Sequence, residues 1–290
     1  MTYYYKVAYF LLLLLPVISP AQENSQSFSS QNLTFINQKD TLAATLLKPE
    51  HPFAAVVLVH GSGQEKRMIR FATLLAQNGI AVLTYDKRGV AESGGTYAGP
   101  EVGTNNIDSA NLNLLSVDAS VAVDTLLHHL SSNQIPVGLL GASQAGWIIP
   151  LAAKKNSNVR FMVIFSGALI TAREQLRFQF YTQGKPGFWD SHTEEEARWH
   201  ISNDPDKYQF ADTDPQETLS KLSIPGLWIF GGKDVQVPVR LSMEHLDSLK
   251  SGNKLYNYKL FPALDHNTAF SKDQEPVKMA IEWIKALSRQ

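Results

Sequence analysis

The sequence predicts an α/β fold, a mostly parallel sheet with helices on both faces and one insertion. Three observations carry this expectation. Short continuous apolar runs recur at residues 54–60, 80–85, 160–165 and 225–230, the pattern of strands buried on both faces. Segments of helical spacing separate them, and β-α-β crossovers of that kind build a parallel sheet. Hydrophobic residues make up 44% of the 290 and charged residues 18%, enough apolar surface for a sizeable core.

In chain order, residues 1–21 (MTYYYKVAYFLLLLLPVISPA) read as a secretion signal. Lys6 supplies a positive start, 7–15 is an apolar run that Pro16 breaks, and Ser19 and Ala21 stand at cleavage-site spacing. The run falls short of the roughly 20 apolar residues a spanning helix needs. No stable membrane anchor is therefore expected. Cleavage near Ala21 exports the chain to a bacterial periplasm or medium, which the lack of cysteine also fits. Residues 22–31 read as a polar, flexible lead-in.

The β-prone stretches 32–36 and 41–47 flank turn-like residues Asn37 to Asp40 and form a hairpin. The buried strand 54–60 ends at Gly61, and a helix over 68–77 stops at Gly79. Strand 80–85 follows. Residues 87–111, rich in Gly, Ser and Asn, read as a long loop, and long loops are often functional. Helix 117–130, strand 136–140, helix 147–154 and strand 160–165 continue the alternation. Residues 170–222, mostly polar and aromatic, interrupt it. Strands 225–230 and 256–261 and helix 276–287 close the chain, so the core spans 32–169 and 223–290.

Charge excludes one class of function. Lys and Arg number 26 against 27 Asp and Glu, so no basic field exists to hold nucleic acid. The count of zero cysteines removes disulfides, a thiol nucleophile, iron–sulfur clusters and Cys-ligated zinc. His128 and His129 are adjacent on a helix and face different directions, which argues against a metal site there.

The chemistry concentrates at strand ends. Residues 138–147 (GLLGASQAGW) run from a buried strand through small residues around Ser143 into a helix, close to the G-x-S-x-G nucleophile elbow. Ala145 replaces the second glycine, a departure of one methyl. His60-Gly61-Ser62-Gly63 ends another strand and can point a backbone N–H, from Gly61 or Ser62, at a developing oxyanion. The Gln144 N–H, just after the serine, is the partner donor. His60 itself reads as structural. Asp234 then follows strand 225–230, and His266 follows strand 256–261. Serine is a poor nucleophile until a histidine takes its proton, and a carboxylate fixes that histidine's tautomer. Asp265 is the rival acid, but adjacent side chains rarely reach the far ring nitrogen. Asp234 is preferred.

These segments resemble the α/β-hydrolase family over nearly the whole chain from residue 32 to 287. Tyr85-Asp86-Lys87-Arg88-Gly89-Val90-Ala91-Glu92-Ser93 is similar to the D-x-R-G-x-G-x-S segment of lysophospholipase-like and serine-aminopeptidase-like members, with Ala91 where glycine is frequent. Residues 141–150 (GASQAGWIIP) look like the elbow of exported bacterial esterases of that group. The resemblance implies an α/β-hydrolase fold with an eight-stranded type of sheet. It implies Ser143 as nucleophile, Asp234 as acid, His266 as base, and oxyanion donors at Gln144 and at Gly61 or Ser62. It implies that 170–222 caps the site, that Arg88 is a structural ion-pair partner, and that no metal or organic cofactor takes part.

The cap carries Phe178, Phe180, Tyr181, Phe188, Trp189, Trp199, Tyr208 and Phe210. They form either a wall for an acyl chain or the cap's own core. Trp147 packs the elbow helix or edges the pocket. Trp189 and Trp199 are candidate substrate contacts. Glu174 and the run Glu194-Glu195-Glu196 are candidates to hold a substrate amine, or else favour helix starts. The leading reading is a serine carboxylesterase acting on a small ester. The alternatives are an exopeptidase of the proline-iminopeptidase kind on short peptides, and a non-catalytic binding protein. Nothing in the sequence sets an oligomeric state.

Overall fold

The computed structural model describes residues 26–99, 104–130, 134–207 and 209–289. The expected secretion signal, its cleavage point and Tyr208 lie outside these residues. Eight strands form one sheet: β1 (Phe28–Asn37), β2 (Asp40–Pro49), β3 (Ala54–Val59), β4 (Ile80–Tyr85), β5 (Val137–Ala142), β6 (Val159–Phe165), β7 (Gly226–Gly231) and β8 (Tyr256–Phe261). Their spatial order is β1-β2-β4-β3-β5-β6-β7-β8, with β2 antiparallel to both β1 and β4 and all the remaining pairs parallel.

Nine α-helices lie among the described residues: α1 (Ile69–Gln77), α2 (Thr104–Ile107), α3 (Ser109–His129), α4 (Ala145–Lys155), α5 (Ala172–Thr182), α6 (Glu194–Asn203), α7 (Pro215–Leu219), α8 (Val239–Ser251) and α9 (Glu275–Leu287). Alternation along β3 assigns its two faces. Val56 and Leu58 pack with residues of α1 and α9, while Val57 and Val59 pack with α3, α4 and α8. Every side chain of β3 and β4 is buried, which is why both read as unbroken apolar runs. Burying each large aliphatic side chain contributes about 1.5–3 kcal/mol.

Two expectations need correction. The flexible lead-in ends earlier than residue 31, because β1 already begins at Phe28, paired with Pro49. Backbone ladder bonds extend the hairpin there although Ser29 to Asn32 are exposed polar residues. The long loop is also shorter than 87–111. Helices α2 and α3 begin within it, and the Asp108 carboxylate caps α3 by accepting the Ala110 N–H at 2.8 Å. Helix α8 went unassigned in the sequence, although Pro238 stands just ahead of it.

Between β6 and β7, residues 170–222 carry α5, α6 and α7. Phe178, Ala197 and Ile201 form a small core of their own, with Tyr181 and Trp189 against it. No helix among the described residues is long and apolar enough to cross a membrane.

Candidate active site

Ser143 sits on the tight turn between β5 and α4 with φ +57°. A non-glycine residue there stores about 1–3 kcal/mol of strain. Neighbouring backbone holds it: the Ser143 N–H donates to Phe165 O at 2.9 Å, and Ser143 O accepts from Gly146 N at 2.8 Å. The small residues have a steric cause. A Cβ on Gly141 would lie 2.5 Å from Val59 O and 2.6 Å from Ala145 Cβ. The Ala145 methyl thus occupies space that Gly141 leaves open, which explains how the elbow accepts it.

The sheet brings the expected acid and base to this serine. His266 Nε2 lies 3.0 Å from Ser143 Oγ, and His266 Nδ1 lies 2.8 Å from Asp234 Oδ2. A carboxylate only accepts, so Nδ1 carries the proton and the Nε2 lone pair faces the hydroxyl. Asp234 is 1% exposed. Its Oδ1 accepts the Gln236 and Val237 N–H groups at 2.7 and 2.9 Å. Gly231 lets the loop bearing His266 approach, since a Cβ there would lie 2.0 Å from Asp265 O. Asp265 is exposed and accepts from the Asn267 N–H at 2.9 Å, away from the relay.

The oxyanion donors separate on geometry. The Gly61 N–H already donates to Glu65 Oε2 at 3.1 Å. Among the described residues the N–H groups of Ser62 and Gln144 have no acceptor, so Ser62 is the better of the two loop candidates.

Sequence reasoning assigned no role to Lys87, and it ties both loops together. Its buried ammonium donates to Gly61 O at 2.6 Å, Gly63 O at 3.3 Å and Gln144 Oε1 at 3.0 Å. The Gln144 amide in turn donates to Asn106 O at 2.7 Å. A lysine two residues past the end of a buried strand was the available signal. Glu65 was also missed. Burial pushes its carboxyl above the usual range, opposed by the Gly61 N–H and the nearby Lys87 charge. His60 donates Nε2–H to Tyr85 O at 2.7 Å, and burial lowers its pKa to about 3. It is a neutral structural group. Arg88 pairs with Asp118 and Asp40 under the loop, and Asn37 also donates to Asp118 at 2.6 Å.

A cavity of about 250 Å³ opens at Ser143 and His266. Glu65, Met68, Phe71, Phe165, Ala269 and Phe270 contribute to its walls. None of the four candidate substrate contacts lines it, for identifiable reasons. Trp147 is buried in the core and donates its indole N–H to Ile170 O at 2.9 Å. Glu174 is spent on a capping box with Thr171. Trp189 stacks on Phe178 and donates to Asp234 O at 2.8 Å, bracing the acid's loop from outside. Trp199 is 59% exposed. The acidic run starts α6, where Glu196 completes a capping box and Glu194 pairs with Arg198 at 3.1 Å. Among the described residues, no cluster of His, Asp and Glu is placed to hold a metal ion.

Comparison with known proteins adds the family. The family model described as serine aminopeptidase, S33, matches residues 50–216. No curated protein matches the sequence. Among solved structures, a Pyrococcus furiosus esterase aligns with TM-score 0.63 at 16% identity, covering 94% of this chain and 96% of that one. Acylaminoacyl peptidase from Pyrococcus horikoshii aligns with TM-score 0.63 at 15% identity, covering 91% of this chain, which spans 42% of the peptidase. Dienelactone hydrolase from Anabaena variabilis aligns with TM-score 0.59 at 19% identity, covering 89% of this chain and 98% of that one.

Proposed function

Because the chain belongs to the serine aminopeptidase S33 family of α/β hydrolases, we propose that it cleaves carboxylic esters through an acyl-enzyme on Ser143. The observation that carries this reading is the relay from Ser143 Oγ through His266 to the buried Asp234. Ser143 attacks the ester carbonyl while His266 Nε2 takes the hydroxyl proton. The Ser62 and Gln144 N–H groups receive the charge that develops on the carbonyl oxygen. His266 then protonates the leaving alcohol. A water, deprotonated by the same nitrogen, releases the acid from Ser143. Asp234 keeps the Nδ1 proton in place and stabilises the imidazolium of each step.

The preference for esters rests on the cavity. One side of it is apolar, built by Leu58, Met68, Phe71, Phe165 and Phe270, and residues 170–222 bring no carboxylate into it. One observation favours the exopeptidase reading instead, the Glu65 carboxylate, which could receive a substrate amine. Turnover of p-nitrophenyl acetate and of a prolyl-anilide by wild type and Ser143→Ala decides between them. The ester is expected to be the faster substrate, and the variant inert on both. A faster anilide would replace the esterase reading. The leader-like residues 1–21 support action outside the cytoplasm. N-terminal sequencing of the exported chain should begin near Gln22.

A further inference from the structure

Two cavities share a wall beside the serine. The inner one, about 250 Å³, holds Ser143 and His266. The outer one, about 550 Å³, opens to the surface between α1 and the turn that follows His266. Both are lined by Met68, Phe71, Ala269 and Phe270. No charged side chain stands on that shared wall. Phe71 meets Phe165 edge-on at 6.3 Å and Phe270 at 5.4 Å, so aromatic surface runs unbroken from the end of β6 to solvent.

The outer lip carries a second, independent sign. Ile69 is 43% exposed and Phe270 58%, two of the five large apolar side chains exposed among the described residues. Both sit on this groove or beside it, since Ile69 and Phe270 line the outer cavity together. Apolar surface left in water next to a reactive serine marks a ligand groove. Glu65 is confined to the inner end, Arg67 at the outer rim is tied to Asp86 and Glu92, and the exposed Arg70 also borders the outer cavity.

We propose that this groove, walled by the core rather than by residues 170–222, binds an unbranched apolar chain of the scissile ester. The proposal rests on the ester-hydrolase reading above. A methylene fills roughly the 30 Å³ of a liquid water, so the inner cavity of about 250 Å³ takes a chain of about eight carbons. Longer chains continue into the outer groove and lie against Phe270.

The test is a chain-length series on the full protein, using p-nitrophenyl acetate, butyrate, octanoate and dodecanoate. Alkyl acetates of the same lengths show whether the acyl or the alcohol side carries the chain. Full burial of one methylene is worth about fourfold in kcat/KM. The eight-carbon to two-carbon ratio is therefore expected on the order of 100-fold or more, in one of the two series. Met68→Trp, which narrows the junction, should cut that ratio at least tenfold. Phe270→Ala should cut the dodecanoate-to-octanoate ratio and leave the octanoate-to-acetate ratio high. A flat profile in both series, or a ratio indifferent to Met68→Trp, overturns the groove. Fluorophosphonate labelling of Ser143 is run on the same samples. Labelled protein with a flat profile refutes the groove alone. Folded, unlabelled protein refutes the hydrolase reading and the groove with it.

Discussion

Replacing Lys87 by methionine removes one ammonium and keeps most of the side chain's shape. Three acceptors lose their donor, the buried Gly61 O and Gln144 Oε1 and the half-buried Gly63 O. A buried acceptor left bare costs about 1–3 kcal/mol. Methionine itself is easier to bury than an ammonium, which offsets part of that loss, so a net destabilisation of about 2–3 kcal/mol is expected. The larger effect falls on rate. Gly61 and Gly63 flank Ser62, and Gln144 carries the other donor, so both proposed oxyanion N–H groups lose their shared anchor. One misdirected donor lowers kcat about 10²–10³-fold. Lys87 is a positioning residue, so KM for p-nitrophenyl acetate should change little. The assay is steady-state kinetics beside thermal unfolding, with Lys87→Arg as the charge-keeping control. A folded Lys87→Met protein with kcat within threefold of wild type would refute the reasoning.

Three further outcomes follow from the same geometry. Asp234→Asn should lower kcat about 10⁴-fold with little change in stability, because an asparagine oxygen still accepts the Gln236 and Val237 N–H groups; kinetics and thermal unfolding of the variant check both halves. Arg88→Met leaves Asp118 buried without its cation, which should cost about 3–5 kcal/mol in urea unfolding. His60 is held neutral in the fold, with its pKa lowered from 6.5 to about 3. Below pH 6.5 the unfolded chain gains a proton that the folded chain refuses. Its contribution is therefore complete above pH 6.5 and lost as pH falls toward about 3. Urea midpoints from pH 7 to 4 should show a shallower decline in His60→Gln than in wild type.

How much was legible in the sequence depended on the period of each signal. Strands β3 to β7 are buried on both faces, and their apolar runs announce them without tertiary context. Ser143 and Asp234 each follow such a strand and His266 follows the half-exposed β8, so their convergence could be argued from order alone. Residues acting through folded neighbours were not legible. Lys87 and Glu65 acquire their roles only when the ends of β3, β4 and β5 meet. The substrate contacts expected at Trp147, Glu174, Trp189 and Trp199 do not line the cavity, for the converse reason. Within residues 170–222, Trp189 and Glu174 serve that segment's own core and helix cap, Trp147 packs in the sheet's core, and Trp199 faces solvent. The walls of the cavity came instead from Met68 and Phe71 near the start of α1 and from Ala269 and Phe270 after His266.

The central claim is that Ser143 is an activated nucleophile. The measurement that tests it most directly is fluorophosphonate labelling of the purified protein, mapped by mass spectrometry. One adduct on Ser143 is expected in wild type, formed much more slowly in His266→Gln. Labelling at another residue, or equal labelling with and without His266, would contradict the account.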